Sequence, residues 1–197
     1  MAALPATPSA YEVFQTRLDN AKRLFRGAIK ARTSGAESFG KRPWVKGRVC
    51  LEFRGRAVFG DGFRTDGHAV GVCIKVVRGA TLIVGDYVGM GGGVKIEAWH
   101  EVRIGNHVML APFVSIIDDN RHEVEPGAIL YKGPIVIGDN VWLGRNVSVM
   151  PGVSIGAGSV IAANSVVSKD IPANSFAAGA PARVVRALEI PEGWVRV

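Results

Sequence analysis

One stretch of this chain gathers most of its proton-transfer chemistry. Ile117-Asp118-Asp119-Asn120-Arg121-His122-Glu123-Val124-Glu125-Pro126-Gly127 sets one imidazole among four carboxylates. A histidine takes a proton from a hydroxyl and returns it to a leaving group near neutral pH, because its ordinary pKa of about 6.5 lies close to the working range. His122 is therefore the candidate general base, and Asp118, Asp119, Glu123 and Glu125 are candidates to orient its second ring nitrogen. The plain alternative is a solvated loop histidine. Cys50 and Cys73 are the only cysteines, and each stands among aliphatics (Val49-Cys50-Leu51, Val72-Cys73-Ile74). They read as buried free thiols, with no disulfide framework and no nucleophile in the loop.

The elements that must hold this loop announce themselves by period. Ile137-Gly138, Leu143-Gly144, Val149, Ile155-Gly156, Ile161 and Val167 each place an aliphatic six positions after the last. The same period runs through Val84-Gly85, Met90 and Ile96, then after a two-residue slip through Ile104-Gly105, Leu110 and Ile116. A strand repeats every two residues and a helix every 3.6; neither gives six. The pattern predicts a chain that turns a corner every six residues, three short strands to a triangular coil, with stacking of coils making the core. Small or turn-forming residues (Asp139-Asn140, Ala157-Gly158, Ala163-Asn164) fall between the aliphatics. The frame breaks once, between Ile116 and Ile137, and His122 lies in that break.

Bulk composition agrees. Gly makes up 25 of 197 residues, nearly twice the usual ~7%, as many corners require. No basic-then-apolar leader and no apolar run near 18 residues is present, which predicts a cytoplasmic protein. Apolar Val13, Phe14, Leu18, Ala21, Leu24, Phe25 and Ala28 recur at three and four, and Ser9-Ala10-Tyr11-Glu12 has capping-box spacing, so one amphipathic helix is expected over 10–31. Between Arg17 and Arg64 the chain carries 13 Lys and Arg against four acids. That field suits an anionic acceptor or peripheral contact of the basic helix with a membrane surface. No aromatic-basic interleaving accompanies it, so nucleic acid is not a partner. The expected organisation is an N-terminal helix and linker over 1–47, a solenoid over 48–172, and a C-terminal tail over 173–197 that closes the stack.

Residues 84–186 resemble the hexapeptide-repeat acyltransferases of the left-handed parallel β-helix fold, in particular the galactoside/maltose O-acetyltransferase branch. The text that carries the resemblance is IVIGDNVWLG from Ile135 to Gly144, PGVSIGAGSVIAANSVVSKDIP from Pro151 to Pro172, and AAGAPARVVR from Ala177 to Arg186. What it implies is an all-β solenoid with an N-terminal amphipathic helix, a homotrimer, acetyl-CoA lying in the cleft between neighbouring solenoids, and His122 as the base acting on a sugar hydroxyl. Asp118, Asp119 and Asn120 fall in the same arm and would contact the sugar or steady the imidazole. Trp142 falls beside the thioester arm, with an oxyanion donor expected near Gly144. Arg145 stands where the family often has a small residue against the pantetheine, and Ala163, beside Ala162, where the backbone holds the pantetheine amides. Ser168 and Lys169 would follow on the same edge, and Arg183 and Arg186 would meet the nucleotide phosphates. Gly93 appears where the branch has an asparagine that contacts the acceptor, so the acceptor should differ from a simple galactoside.

The expected activity is acetyl-CoA-dependent O-acetylation of a sugar, polysaccharide or glycolipid intermediate by direct transfer, with no metal. The competing readings are an N-acyltransferase acting on an amino nucleotide sugar, a non-catalytic trimeric scaffold, and a zinc carbonic anhydrase. The last would need three of His68, His100, His107 and His122 to converge.

Overall fold

The computed structural model describes residues 10–123, 125–128 and 131–196. Among the described residues one helix, Ala10–Thr33, precedes eighteen strands, most of them two to four residues long. The helix matches the expected amphipathic segment; its Ser9 cap lies outside the described residues. Gly27 sits against the Pro43 carbonyl, where a Cβ would collide with it. The helix therefore packs closely at this one point. No helix of the described residues is long and apolar enough to cross a membrane.

The strands stack as parallel neighbours on three faces. Face one runs through Ser38–Phe39, Arg56–Phe59, Thr81–Val84, Glu101–Ile104, Ile135–Ile137 and Ser154–Ile155. Face two climbs from Trp44 through Arg64, Gly89–Gly91, Met109–Leu110, Trp142–Leu143 and Val160–Ile161 to Ser175–Gly179. Face three climbs through Cys50, Cys73, Lys95–Ala98, Ser115–Ile117, Ser148–Val149 and Val166–Val167. Faces two and three are joined by two long strands, Trp44–Phe53 and Arg64–Val76, which bend through the corner without ending. The bend brings Gly47 (φ +79°) so near the Gly67 carbonyl that a Cβ would not fit.

Each hexad aliphatic points inward. Ile96, Ile116, Leu143 and Ile161 are fully buried in one continuous core that runs the length of the stack. Corners between faces one and two are tied by side chains that accept the preceding coil's backbone N–H: Asp61 from Lys41, Asp86 from Asp61, Asn106 from Asp86, and Asp139 from Asn106, each at 2.7–2.8 Å. The repeated Asp/Asn-X corner is thus a ladder of caps. Leu143→Ala should cost about 2–5 kcal/mol by leaving a cavity between two coils. A urea titration of the full chain measures it, and a loss below about 1 kcal/mol would contradict the placement of Leu143 in the shared core.

Two expectations are corrected. The linker expected at the end of 1–47 belongs to the solenoid: Ser38–Phe39 pairs with Arg56–Phe59 and Trp44 with Arg64, so residues 38–47 begin the first coil. Gly40 and Gly47 are corner residues, and their close approach to the coil above explains why they are glycines. The thiols are not buried either. Cys50 is exposed and Cys73 half-buried, as in-register partners on the outside of face three. Burial first, then the Cys50 hydrogen bond, raises the Cys73 thiol above its usual pKa, while Lys95 opposes. Both thiols should therefore react with Ellman's reagent in the native protein; a count of zero would contradict this exposure.

At the far end of face two, strand Ser175–Gly179 turns back antiparallel as Ala182–Ala187. The chain then runs down the outside of the solenoid. Asn140 donates to the Trp194 carbonyl at 3.1 Å and accepts the Arg196 N–H at 2.8 Å, which pins the tail beside face two.

Candidate active site

The excursion leaves the solenoid after Ser115–Ile117, at the edge between faces three and one, and its base is closed by hydrogen bonds. Asn120 N–H donates to the Tyr131 carbonyl at 3.0 Å, and Gly133 N–H to the Asp118 carbonyl at 3.1 Å. Asp118 is fully buried, its carboxylate accepting the backbone N–H groups of Trp99, His100 and Glu101 at 2.7–2.8 Å. It ties the loop to the coil below, and leaves no surface for an acceptor or for His122. Asp119 accepts the Arg121 N–H at 2.7 Å and meets His100 Nε2 at 2.9 Å. Burial pushes the Asp119 carboxyl up, but the His100 hydrogen bond, the Arg121 N–H and the charges of His100 and Lys132 outweigh it and hold the pKa below the usual value.

Arg121 lays its guanidinium 3.9 Å over the Trp99 ring, and its positive φ of 61° turns the chain immediately before His122. The His122 N–H donates to the Asn120 carbonyl at 2.8 Å, and the residue is exposed. Among the described residues its imidazole has no side-chain partner. Asp118 is taken by the backbone, Asp119 by His100 and Arg121, and Glu123 by the Gly127 N–H. Asp119, one of the four candidate acids for orienting His122, instead anchors the loop through His100, a role the sequence did not suggest.

The sign of the Asp119 shift makes a prediction. A depressed folded pKa contributes stability that is fully present above the ordinary aspartate value of about 3.9 and is lost as pH falls through the folded value. Asp119→Asn should therefore be less stable than the parent above about pH 4 and approach it at lower pH. A stability difference that instead widened on acidification would contradict the assignment.

The cofactor-side expectations fall mostly on another edge. Between faces two and three the corners Gly92-Gly93, Pro112-Phe113, Arg145-Asn146 and Ala163-Asn164 stack in a column, linked by the N–H of Phe113 to Gly92, of Asn146 to Pro112 and of Asn164 to Arg145. Trp142 lies just before this edge, 42% exposed, between Met109 and Val160. Gly144 N–H donates to the Ile161 carbonyl at 2.8 Å, and Ala162 N–H to the Ala177 carbonyl at 2.9 Å. The oxyanion donor expected near Gly144 is thus not Gly144 itself. Among the described residues, the N–H groups of Arg145 and Ala163 make no ladder bond. Arg145 carries its guanidinium 4.9 Å over the Phe113 ring, down the edge.

Gly93 has φ +75°, and its Cβ would lie 2.6 Å from the Phe113 ring. It is a covered corner; Gly89 and Gly91 line the open groove on face two instead. Ser168 and Lys169 follow Val166–Val167 on face three and so stand on the edge that carries His122, not on the Trp142 edge. Arg183 donates to the Ala182 carbonyl, and Arg186 lies 5.6 Å over Phe176 in the terminal hairpin. Among the described residues no three His, Cys, Asp or Glu side chains converge as metal ligands would.

Residues that could carry transfer chemistry are therefore divided. His122 stands on one edge of the prism; Trp142, Arg145 and Ala163 stand at another. A face of five or six residues is roughly 17–20 Å across, far beyond the hydrogen-bond reach a general base needs.

Comparison with known proteins places the solenoid among hexapeptide-repeat transferases. The family model for bacterial transferase hexapeptide (six repeats) matches residues 134–169. Galactoside O-acetyltransferase of Escherichia coli strain K12 is 46% identical over 90 residues, which covers 44% of each chain. The match thus spans less than half the length of that relative. The crystal structure of the polySia specific acetyltransferase NeuO superposes with a TM-score of 0.56 at 28% identity, covering 82% of this chain and 81% of that one. A galactoside acetyltransferase solved in complex with coenzyme A gives a TM-score of 0.57 at 27% identity, covering 93% and 86%.

Proposed function

We propose that this chain, a hexapeptide-repeat β-solenoid related to the galactoside O-acetyltransferases, transfers an acetyl group from acetyl-CoA to a hydroxyl of a sugar, polysaccharide or glycolipid intermediate. The observation that carries the reading is the unladdered N–H pair at Arg145 and Ala163 beside exposed Trp142. It is an edge that can hold an extended amide-bearing arm, in a chain whose relatives include a coenzyme A complex.

His122 removes the proton of the acceptor hydroxyl as its oxygen attacks the thioester carbon. The Arg145 N–H, next to the spent Gly144, meets the tetrahedral oxyanion. Collapse breaks the carbon–sulfur bond, and the His122 imidazolium protonates the departing thiolate. Ala163 offers its N–H and C=O to the pantetheine amides, and Arg183 and Arg186 offer charge to the nucleotide phosphates. Asn120, exposed beside His122, and Asp119 are the loop groups nearest the acceptor, with Asp119 acting by holding the loop.

Because His122 and the Trp142 edge are separated within one chain, the reaction site is formed between copies: the His122 edge of one faces the Trp142 edge of the next. Ser168 and Lys169, on the His122 edge, would then reach the neighbour's coenzyme A. A closed ring of three satisfies each edge once. Incubation with acetyl-CoA and a panel of sugars, amino sugars and glycolipid intermediates, read by free-thiol release, tests the activity. Acceptor-dependent release with an O-acetylated product is expected. No release with any acceptor, together with no acetyl-CoA binding, would overturn it, and release with amino sugars alone would move the reading to N-acylation.

A further inference from the structure

Face two carries a groove of about 1020 Å³ directly beneath Trp142. Its floor is one outward-facing register: Trp44, Arg64, Gly89, Met109 and Trp142 follow one another from coil to coil. Gly89 interrupts this row. A Cβ there would meet nothing within 4 Å, so the groove is open where a side chain would otherwise stand. On the rim toward face one, Tyr87 is 51% exposed and stacks on His107 at 5.0 Å, and the Tyr87 ring overlies Gly62. Trp44 carries the Arg23 guanidinium 4.9 Å over its ring. Both faces of the Tyr87 ring and one face of Trp44 are thus covered, so the rings wall the groove, and the space for a sugar ring is the open position at Gly89.

Charge narrows the class. Arg42, Arg64 and Arg196 all line the groove. Among the described residues Arg42 and Arg64 have no acidic partner, whereas the groove's carboxylate, Asp66, is already paired with Lys46 at 3.0 Å. Arg196 is bonded to the Asn140 and Gly158 carbonyls, and burial lowers its pKa, so the groove holds a partly desolvated guanidinium with no counter-charge among the described residues. Planar guanidinium forks match carboxylates bidentately, which lysines would not do.

We infer that this groove seats the acceptor and selects an oligosaccharide whose sugars carry carboxylate groups, with Arg42 and Arg64 reading the charge and the open position at Gly89 taking a ring. The inference rests on the O-acetyltransferase reading, but binding tests it independently of turnover. The purified full chain is titrated calorimetrically with trigalacturonic acid, with galactotriose, and with uridine diphosphate galactose. The acidic trisaccharide should bind, and its affinity should fall as salt rises. Arg64→Gln and Arg42→Gln should each weaken it roughly tenfold, the worth of one charge-assisted bond. Arg54→Gln, a charge change outside the groove, should leave it unchanged. Gly89→Trp, which fills the open position without a strained φ, should abolish it while acetyl-CoA still binds.

Equal affinity for galactotriose, no effect of Arg64→Gln, or tighter binding of uridine diphosphate galactose would each overturn the assignment. Thiol release with neutral sugars and no binding of the acid would sink this inference alone. Acid binding with no thiol release from any acceptor would sink the transfer reaction alone.

Discussion

His122→Ala should lower turnover by about 10²–10⁴-fold, the usual worth of a positioned acid–base group, while leaving acetyl-CoA affinity nearly unchanged. The separation follows from geometry. His122 stands on the excursion at the edge between faces three and one, and its side chain bonds no partner among the described residues. Removing it disturbs neither the Asp119–His100 anchor nor the stack of Arg121 on Trp99. The fold should therefore survive, and the loss should appear in kcat rather than in Tm. A variant that keeps more than about a tenth of parental turnover would mean another group is the base.

Ala163→Trp should have the opposite signature. Ala163 is an exposed corner residue on the Trp142 edge, outside the left-handed φ region and outside the core, so a large side chain can be accommodated by the fold. In the proposed complex it would stand where the pantetheine arm runs. Losing two backbone hydrogen bonds to that arm should weaken acetyl-CoA binding roughly 10²-fold. Binding of the acceptor groove's ligand should be retained, because the groove lies below Trp142 and does not include Ala163. Unchanged acetyl-CoA affinity would move the donor site off this edge.

Much of the fold was legible in the sequence because its order is one-dimensional. Ile137, Leu143, Val149, Ile155, Ile161 and Val167 repeat with the coil, and every one of them is buried. The first coil escaped the reading for a physical reason. Its strands bend at Gly47 and Gly67 and carry no hexad, so its corner glycines resembled those of a linker. The excursion was legible as a break in period, and the break supplied His122.

What the sequence could not supply was phase around the prism. Ser168 and Lys169 lie only four and five residues beyond Asn164, yet those residues cross a whole face and reach a different edge. Asp118 reads as a reactive loop acid, and only its burial against three N–H groups shows it to be a strut. The lower coils with Arg64 and Asp66 could be read as an acceptor floor, but Arg42, Tyr87 and Arg196 were missed because they come from separate corners and the tail. A signal did exist: aligned by corner, Lys41-Arg42, Asp61-Gly62, Asp86-Tyr87 and Asn106-His107 occupy one column, and Arg42, Tyr87 and His107 hold positive φ without being glycine or asparagine.

The central claim is that one reaction site is assembled from the His122 edge of one chain and the Trp142 edge of another, and mixing tests it most directly. His122→Ala and Ala163→Trp proteins, each strongly impaired alone at acetyl-CoA near the parental Kd, are unfolded together in equal amounts, refolded, and assayed at that donor concentration for acceptor-dependent thiol release. If sites are shared in a ring, about a quarter of them should combine an intact His122 with an intact Trp142 edge, and activity should return to about that fraction of the parental protein treated the same way. If each chain held a complete site, no combination could restore one. A mixture as inactive as its components, with mixed oligomers shown to have formed, would contradict the account.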